Sequence, residues 1–172
     1  MAGTAALFCA AAYAAPARTA VCIIAPPPGT SSSNEVKGTI TFTQKVGSKG
    51  VAIRVRVSGL SPNSVHGFHI HALGDLTQGC ISAGGHFNPS NKNHGGPGDA
   101  ERHAGDLGNV AADGNGIIDE TLSDSVITLD GASDFSVVGR SVVLHADAVR
   151  IFPKLLAHPS PCREAKNCNL SF

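Results

Sequence analysis

The segment Val51-Ala52-Ile53-Arg54-Val55-Arg56-Val57 alternates without a break, Val and Ile on one side, Ala and Arg on the other. Successive side chains leave a strand on opposite faces, so this run is a β-strand with one apolar and one wetted face. Such a strand cannot hide its apolar face alone; it needs a sheet around it and a second layer against it. Similar short runs lie at 20–24, 36–43, 65–72, 116–122 and 140–146. Turn-forming clusters such as Lys45-Val46-Gly47-Ser48-Lys49-Gly50 and Asp113-Gly114-Asn115-Gly116 separate them. Helical periodicity is absent over any long stretch, so the chain reads as an antiparallel all-β domain, a sandwich or flattened barrel. Its 172 residues suit a single domain. Between 73 and 105 the alternation stops and Gly, Pro, Asn and His take over. A loop of that length in a compact domain is either functional or disordered.

Charged residues are 15% of the chain and cancel to zero. No global field therefore draws it to nucleic acid or to anionic membrane, and any steering of a charged ligand is local. No apolar run approaches the roughly 20 residues that span a bilayer. The expected partners include neither nucleic acid nor membrane. Five Cys, at 9, 22, 80, 162 and 168, contain no CxxC pair, which argues against a zinc ribbon or a thioredoxin-like motif and leaves room for one structural disulfide at most. Residues 1–17, MAGTAALFCAAAYAAPA, are Ala-rich and uncharged and end in Ala15-Pro16-Ala17. They read as a signal peptide and the protein as secreted; the alternative is an Ala-rich extension on a cytoplasmic protein.

Eight His beside no Trp and one Met concentrate the information in the His positions, because His is the commonest metal ligand. His69 and His71 are two apart in a strand, so both leave one face while Phe68 and Ile70 leave the other. In the long loop His86, His94 and His103 are followed by Asp106. Three imidazoles and a carboxylate form a set that zinc accepts in tetrahedral geometry, and the loop would owe its order to that metal. His145 closes the late strand 141–144, where antiparallel packing can return it to His69 and His71. Three or four imidazoles without a thiolate suit copper. Spacing alone does not decide between ligands and incidental histidines. His66, of opposite parity in its strand, and His158, in a Pro-rich tail, are read as structural.

Longer motifs carry more. Gly67-Phe68-His69-Ile70-His71 is followed by Gly79-Cys80, Gly84-Gly85-His86-Phe87-Asn88-Pro89 and His94-Gly95-Gly96-Pro97. Glu101-Arg102-His103-Ala104-Gly105-Asp106-Leu107-Gly108-Asn109 and Val138-Gly139-Arg140-Ser141-Val142-Val143-Leu144-His145-Ala146 complete the order. From about 19 to 148 the chain resembles the copper/zinc superoxide dismutases. The resemblance implies a Greek-key β-sandwich with a long metal-binding loop, placed at 18–148 between the 1–17 segment and a divergent tail at 149–172. It makes His69, His71, His86 and His145 copper ligands and His86, His94, His103 and Asp106 zinc ligands. The shared His86 would be the catalytic residue, an imidazolate that takes up a proton as superoxide alternately reduces and reoxidises copper, yielding oxygen and hydrogen peroxide. A homodimer is implied too.

After Ala148 the likeness ends. The family's Gly- and charge-rich loop, its Gly-Asn-Ala-Gly…Arg…Ala-Cys-Gly motif and its last strand have no match, so the last strand is expected to be missing and an edge left open to aggregation. An acidic residue that links the two ligand sets would fall at Val149. The Arg that attracts superoxide finds no counterpart, since Arg150 and Arg163 lie in unrelated contexts. Cys80 lacks its expected partner, with Cys162 or Cys168 as substitutes, and free thiols are the default. Completeness of the ligand set favours an enzyme that dismutes superoxide, at a rate the altered ending reduces. Loss of the Arg and the acidic residue favours a copper/zinc-binding or copper-delivery module with weak or no turnover. A metal-free interaction domain is the third reading.

Overall fold

A computed structural model describes residues 16–24, 35–78 and 80–148, and the backbone of 166–169. Among these residues the structure is all-β, with eight strands: β1 Ala17–Ile24, β2 Lys37–Lys45, β3 Val51–Ser58, β4 Val65–Ile70, β5 Asp106–Ala111, β6 Ile118–Asp124, β7 Ser141–Leu144 and β8 Lys166–Asn169. They form two antiparallel four-stranded sheets, ordered β1-β2-β3-β6 and β5-β4-β7-β8. No described helix is long and apolar enough to cross a membrane.

The first sheet follows the alternation closely. Ala20, Cys22 and Ile24 of β1, Ile40 and Phe42 of β2, and Val51, Ile53, Val55 and Val57 of β3 are buried together. Across the sandwich they meet Phe68 and Ile70 of β4, Leu107 and Val110 of β5, and Val142 and Leu144 of β7. Each side chain of this size stabilises by about 1.5–3 kcal/mol when removed from water, so the two inner faces hold the sheets together. Gln44 adds a polar latch: its Oε1 accepts from Leu129 N at 2.8 Å and Thr128 Oγ1 at 2.9 Å.

β4 is buried on both faces from His66 onward, as is its neighbour β7 throughout. Its second face lies beneath the connection 71–105, which folds back on the strand end. Ala72 N donates to Gly85 O and Phe87 N to Ile70 O, each at 2.8 Å. Gly105 is required where the loop rejoins the sheet: its N donates to Phe87 O at 2.9 Å, and a Cβ there would run into the Ile70 carbonyl.

Three expectations change. No strand is expected from the sequence at β5, because Asp106-Leu107-Gly108-Asn109-Val110-Ala111 lacks clean alternation; pairing with β4, through a bulge between Gly67 and His69, makes it one. The last strand is not missing. β8 pairs with β7, Ser141 opposite Asn169 through Leu144 opposite Lys166, because backbone pairing along an open edge asks for no hydrophobic pattern. Cys22 and Cys80 are both disulfide-bonded, so free thiols do not hold at either. The 1–17 leader up to residue 15, and Val149, Arg150, His158, Cys162 and Arg163, lie outside the described residues.

Candidate metal centre

Two groups of donors form on the covered face of β4. His69, His71, His86 and His145 offer ligand atoms all within 4.8 Å of one another, and so do His86, His94, His103 and Asp106. Every site residue expected from the sequence is therefore brought in, and His86 belongs to both groups.

The first group is built by strand geometry. His69 of β4 and His71, just past its end, leave on one side while Phe68 and Ile70 enter the core. β7 runs antiparallel beside β4, Phe68 opposite Leu144, and His145 N donates to Gly67 O at 2.8 Å, which delivers His145 to the pair. The His145 ring centre is 5.0 Å from that of His69 and 5.8 Å from that of His71. His86 stacks on His69 at 4.0 Å.

Protonation in this group favours cation binding. His71 Nδ1 lies 2.7 Å from the Gly84 carbonyl; a carbonyl only accepts, so the proton sits on Nδ1 and the Nε2 lone pair stays available. Burial, with a smaller push from His86, lowers His71 to about 4 against that hydrogen bond. His145 is lowered to about 4 by burial, then by His71 and His86. Burial, followed by His86 and His145, depresses His69 further still. All three rings are neutral at pH 7. Both nitrogens of His69 and His145 and the Nε2 of His71 are buried without a hydrogen-bond partner. Orphaned buried nitrogens are costly, and a cation among them resolves the cost.

The second group centres on Asp106, which is fully buried. Its Oδ1 lies 2.7 Å from His86 Nδ1, 3.1 Å from His94 Nδ1 and 3.2 Å from His103 Nδ1. Its Oδ2 accepts from His103 N at 2.8 Å and Gly95 N at 3.1 Å. Burial pushes the carboxyl upward, but the interactions with His86 and His94 outweigh it and hold Asp106 well below the usual carboxylate range. The same carboxylate raises His94 against burial, whereas burial lowers His103. Three imidazole nitrogens and an ionised oxygen converging at this spacing fit tetrahedral zinc; four imidazoles without thiolate fit copper.

Two supports have no signal in the sequence. Arg102 is buried, with Nη1 donating to the carbonyls of His103 at 3.2 Å and Asp106 at 3.0 Å and Nη2 to Asp124 Oδ2 at 2.5 Å. Asp124 at the end of β6 is distant in sequence, and no local pattern announces the pair. His66 lies outside both groups, as its strand parity implies. Its Nδ1 donates to the His145 carbonyl at 2.8 Å and its Nε2 lies 2.7 Å from Ser64 Oγ.

A β-sandwich that buries two abutting donor sets, joined by one imidazole, defines a two-metal β-protein. The family described as copper/zinc superoxide dismutase (SODC) matches residues 36–151. A superoxide dismutase [Cu-Zn] of Yarrowia lipolytica is 52% identical over 112 residues, 65% of this chain and 71% of that one. An extracellular superoxide dismutase [Cu-Zn] of Drosophila melanogaster is 51% identical over 118 residues, 69% of this chain and 64% of that one. Superoxide dismutase [Cu-Zn] 2 of Mesembryanthemum crystallinum is 52% identical over 118 residues, 68% of this chain and 72% of that one. The chain belongs to the copper/zinc superoxide dismutase family. It is an oxidoreductase that converts superoxide to oxygen and hydrogen peroxide, with copper and zinc as cofactors.

Proposed function

We propose that His69, His71, His86 and His145 hold the copper, that His86, His94, His103 and Asp106 hold the zinc, and that His86 is the catalytic residue. The observation that carries this reading is the double membership of His86. Its Nδ1 is turned to Asp106, 2.7 Å away, which leaves Nε2 for the His69 group. Copper supplies one-electron oxidation and reduction of superoxide, and zinc supplies charge without redox.

The remaining work belongs to the chain. Burial keeps His69, His71 and His145 neutral, so their lone pairs face the cation rather than a proton. Asp106 is ionised and balances charge in the second set. With a cation held at each nitrogen, His86 would serve as the imidazolate shared by the two sets, a form that adjacent cations favour. Whenever Nε2 is free of the cation it would be the atom that holds a proton for the reduced product, while Nδ1 stays turned to the Asp106 group.

The test replaces His86 with Ala and measures copper and zinc by mass spectrometry alongside superoxide decay. Loss of metal from both sets and a fall in decay rate of at least about 100-fold, the scale of a lost proton-transfer group, are expected. Unchanged uptake of both metals sinks the assignment.

Three coarser features complete the reading. A domain at 18–148 is supported by strands β2 to β7 and most of β1 lying within it, although β1 starts at Ala17 and β8 joins the second sheet from the 149–172 tail. Secretion, with 1–17 removed, is supported by the Ala15-Pro16-Ala17 ending, by the disulfides at Cys22 and Cys80, and by likeness to a relative named extracellular. The first residue of the mature protein tests it. Self-association into a homodimer is supported by Leu73 and Ile81, 55% and 71% exposed in one turn-rich segment; sedimentation of wild type against Leu73→Glu tests it.

A further inference from the structure

Arg140 precedes β7 and reaches across to both segments that bring copper donors out of the loop. Its Nε donates to the Ser136 carbonyl at 2.8 Å and its Nη1 to the Ala72 carbonyl at 2.5 Å. Its guanidinium carbon lies 3.8 Å from the centre of the Phe87 ring. Ala72 follows His71, and Phe87 follows His86.

These two segments run side by side. His71 and His86 form an isolated antiparallel bridge, with backbone bonds on either side of it from Ala72 N to Gly85 O and from Phe87 N to Ile70 O. Backbone bonds set the register of the segments. The tilt of one against the other depends on what covers the junction. A guanidinium suits that task because its fork of donors and its flat face act together: one edge grips the carbonyl after His71 while the face presses the ring after His86. The third anchor, Ser136, ties the plane to the approach to β7, the strand that ends at His145.

We propose that Arg140 is a positioning residue for the copper set, fixing the relative tilt of His71 and His86 through Ala72 and Phe87. This rests on the copper assignment above. Arg140 donates to no ligand side chain in the structure, so its removal changes the geometry of the set rather than the number of ligands.

The test compares Arg140→Gln and Arg140→Lys with wild type in the metal-loaded protein. In Arg140→Gln the copper dissociation constant is expected to rise about 10-fold, the lower end for groups that orient ligands indirectly. The copper(II) paramagnetic resonance and visible band are expected to shift. Cobalt(II) placed in the zinc set is expected to keep its wild-type spectrum. Arg140→Lys retains the charge but not the plane and is expected to show the same shift, smaller; full return to the wild-type copper spectrum would overturn the role of the plane. An unshifted copper spectrum with unchanged affinity in Arg140→Gln overturns the proposal even where the melting temperature falls, since that is the mark of a purely structural arginine. Should Arg140→Gln not fold, the Arg140→Lys spectrum decides alone, no shift counting against the proposal. Failure of the copper assignment itself would show elsewhere, as a copper spectrum that His86→Ala leaves unchanged.

Discussion

β3 and β4 obey the same two-residue period and end in different environments. In β3, Val51, Ile53, Val55 and Val57 are buried, while Arg54 and Arg56 lie on the outer face of the sheet and pair there with Asp119. In β4, Phe68 and Ile70 enter the same core, but His69, and His71 just past the strand's end, are buried as well, at 1% and 3% exposure. The difference lies in what covers the second face. Water covers that of β3; that of β4 lies under a loop that brings His86, His94 and His103 with it and leads into Asp106 at the start of β5. Polar groups taken from water need partners, and the buried nitrogens of His69 and the Nε2 of His71 that have no hydrogen-bond partner are the ones assigned above to copper. On the proposed ligand assignment the molecule has two cores, one cohering by apolar area and the other by coordination.

Chelation of both metals is the strongest way to separate them. The coordinated core is expected to lose stability on the scale of about 10 kcal/mol that structural zinc supplies to small domains. Hydrogen exchange should then show 84–106 losing protection while β2 and β3 keep theirs. Simultaneous loss in both regions would break the distinction.

Acid sharpens it next. In chelated protein whose loop cover is closed over the rings, His71 and His145 titrate near 4 when folded and near 6.5 when unfolded. Between those values the unfolded chain binds more protons, so stability rises with pH. Their contribution is complete above about 6.5 and is lost as pH falls toward 4, about 3 kcal/mol for each ring in the limit. Denaturant midpoints of the chelated protein that stay flat across this window would contradict the burial of the rings.

Ion pairs give the smaller effects. Asp124→Asn strips the partner from buried Arg102 and is expected to cost about 3 kcal/mol, with weaker zinc retention because Arg102 also holds the His103 and Asp106 carbonyls. Asp119→Ala opens the exposed pairs on β3 and should cost less than about 1 kcal/mol. Equal costs in urea unfolding would mean that the cover over the loop side admits water.

Much of this contrast is legible in the amino-acid sequence. Alternation marks β3, the parity of His69, Phe68, Ile70 and His71 sorts metal face from core face, and the order of motifs points to the family. β5 and β8 are not legible there, because Asp106–Ala111 and Lys166–Asn169 carry no periodic apolar signal and become strands only through neighbours that offer free backbone groups. Arg102 with Asp124, and Arg140 with Ala72 and Phe87, are hidden for a related reason: each joins residues that the local pattern does not connect.

By itself the sequence determined which residue types could ligate and which face of each strand they left, since both follow from local covalent geometry. Family resemblance already implied that His86 is shared; only the tertiary structure decided the distances that bring both donor sets to it, that three rings are neutral, and that an unrelated tail closes the second sheet. Those outcomes depend on distances and burial created when remote segments meet, and no local stretch of the chain encodes them.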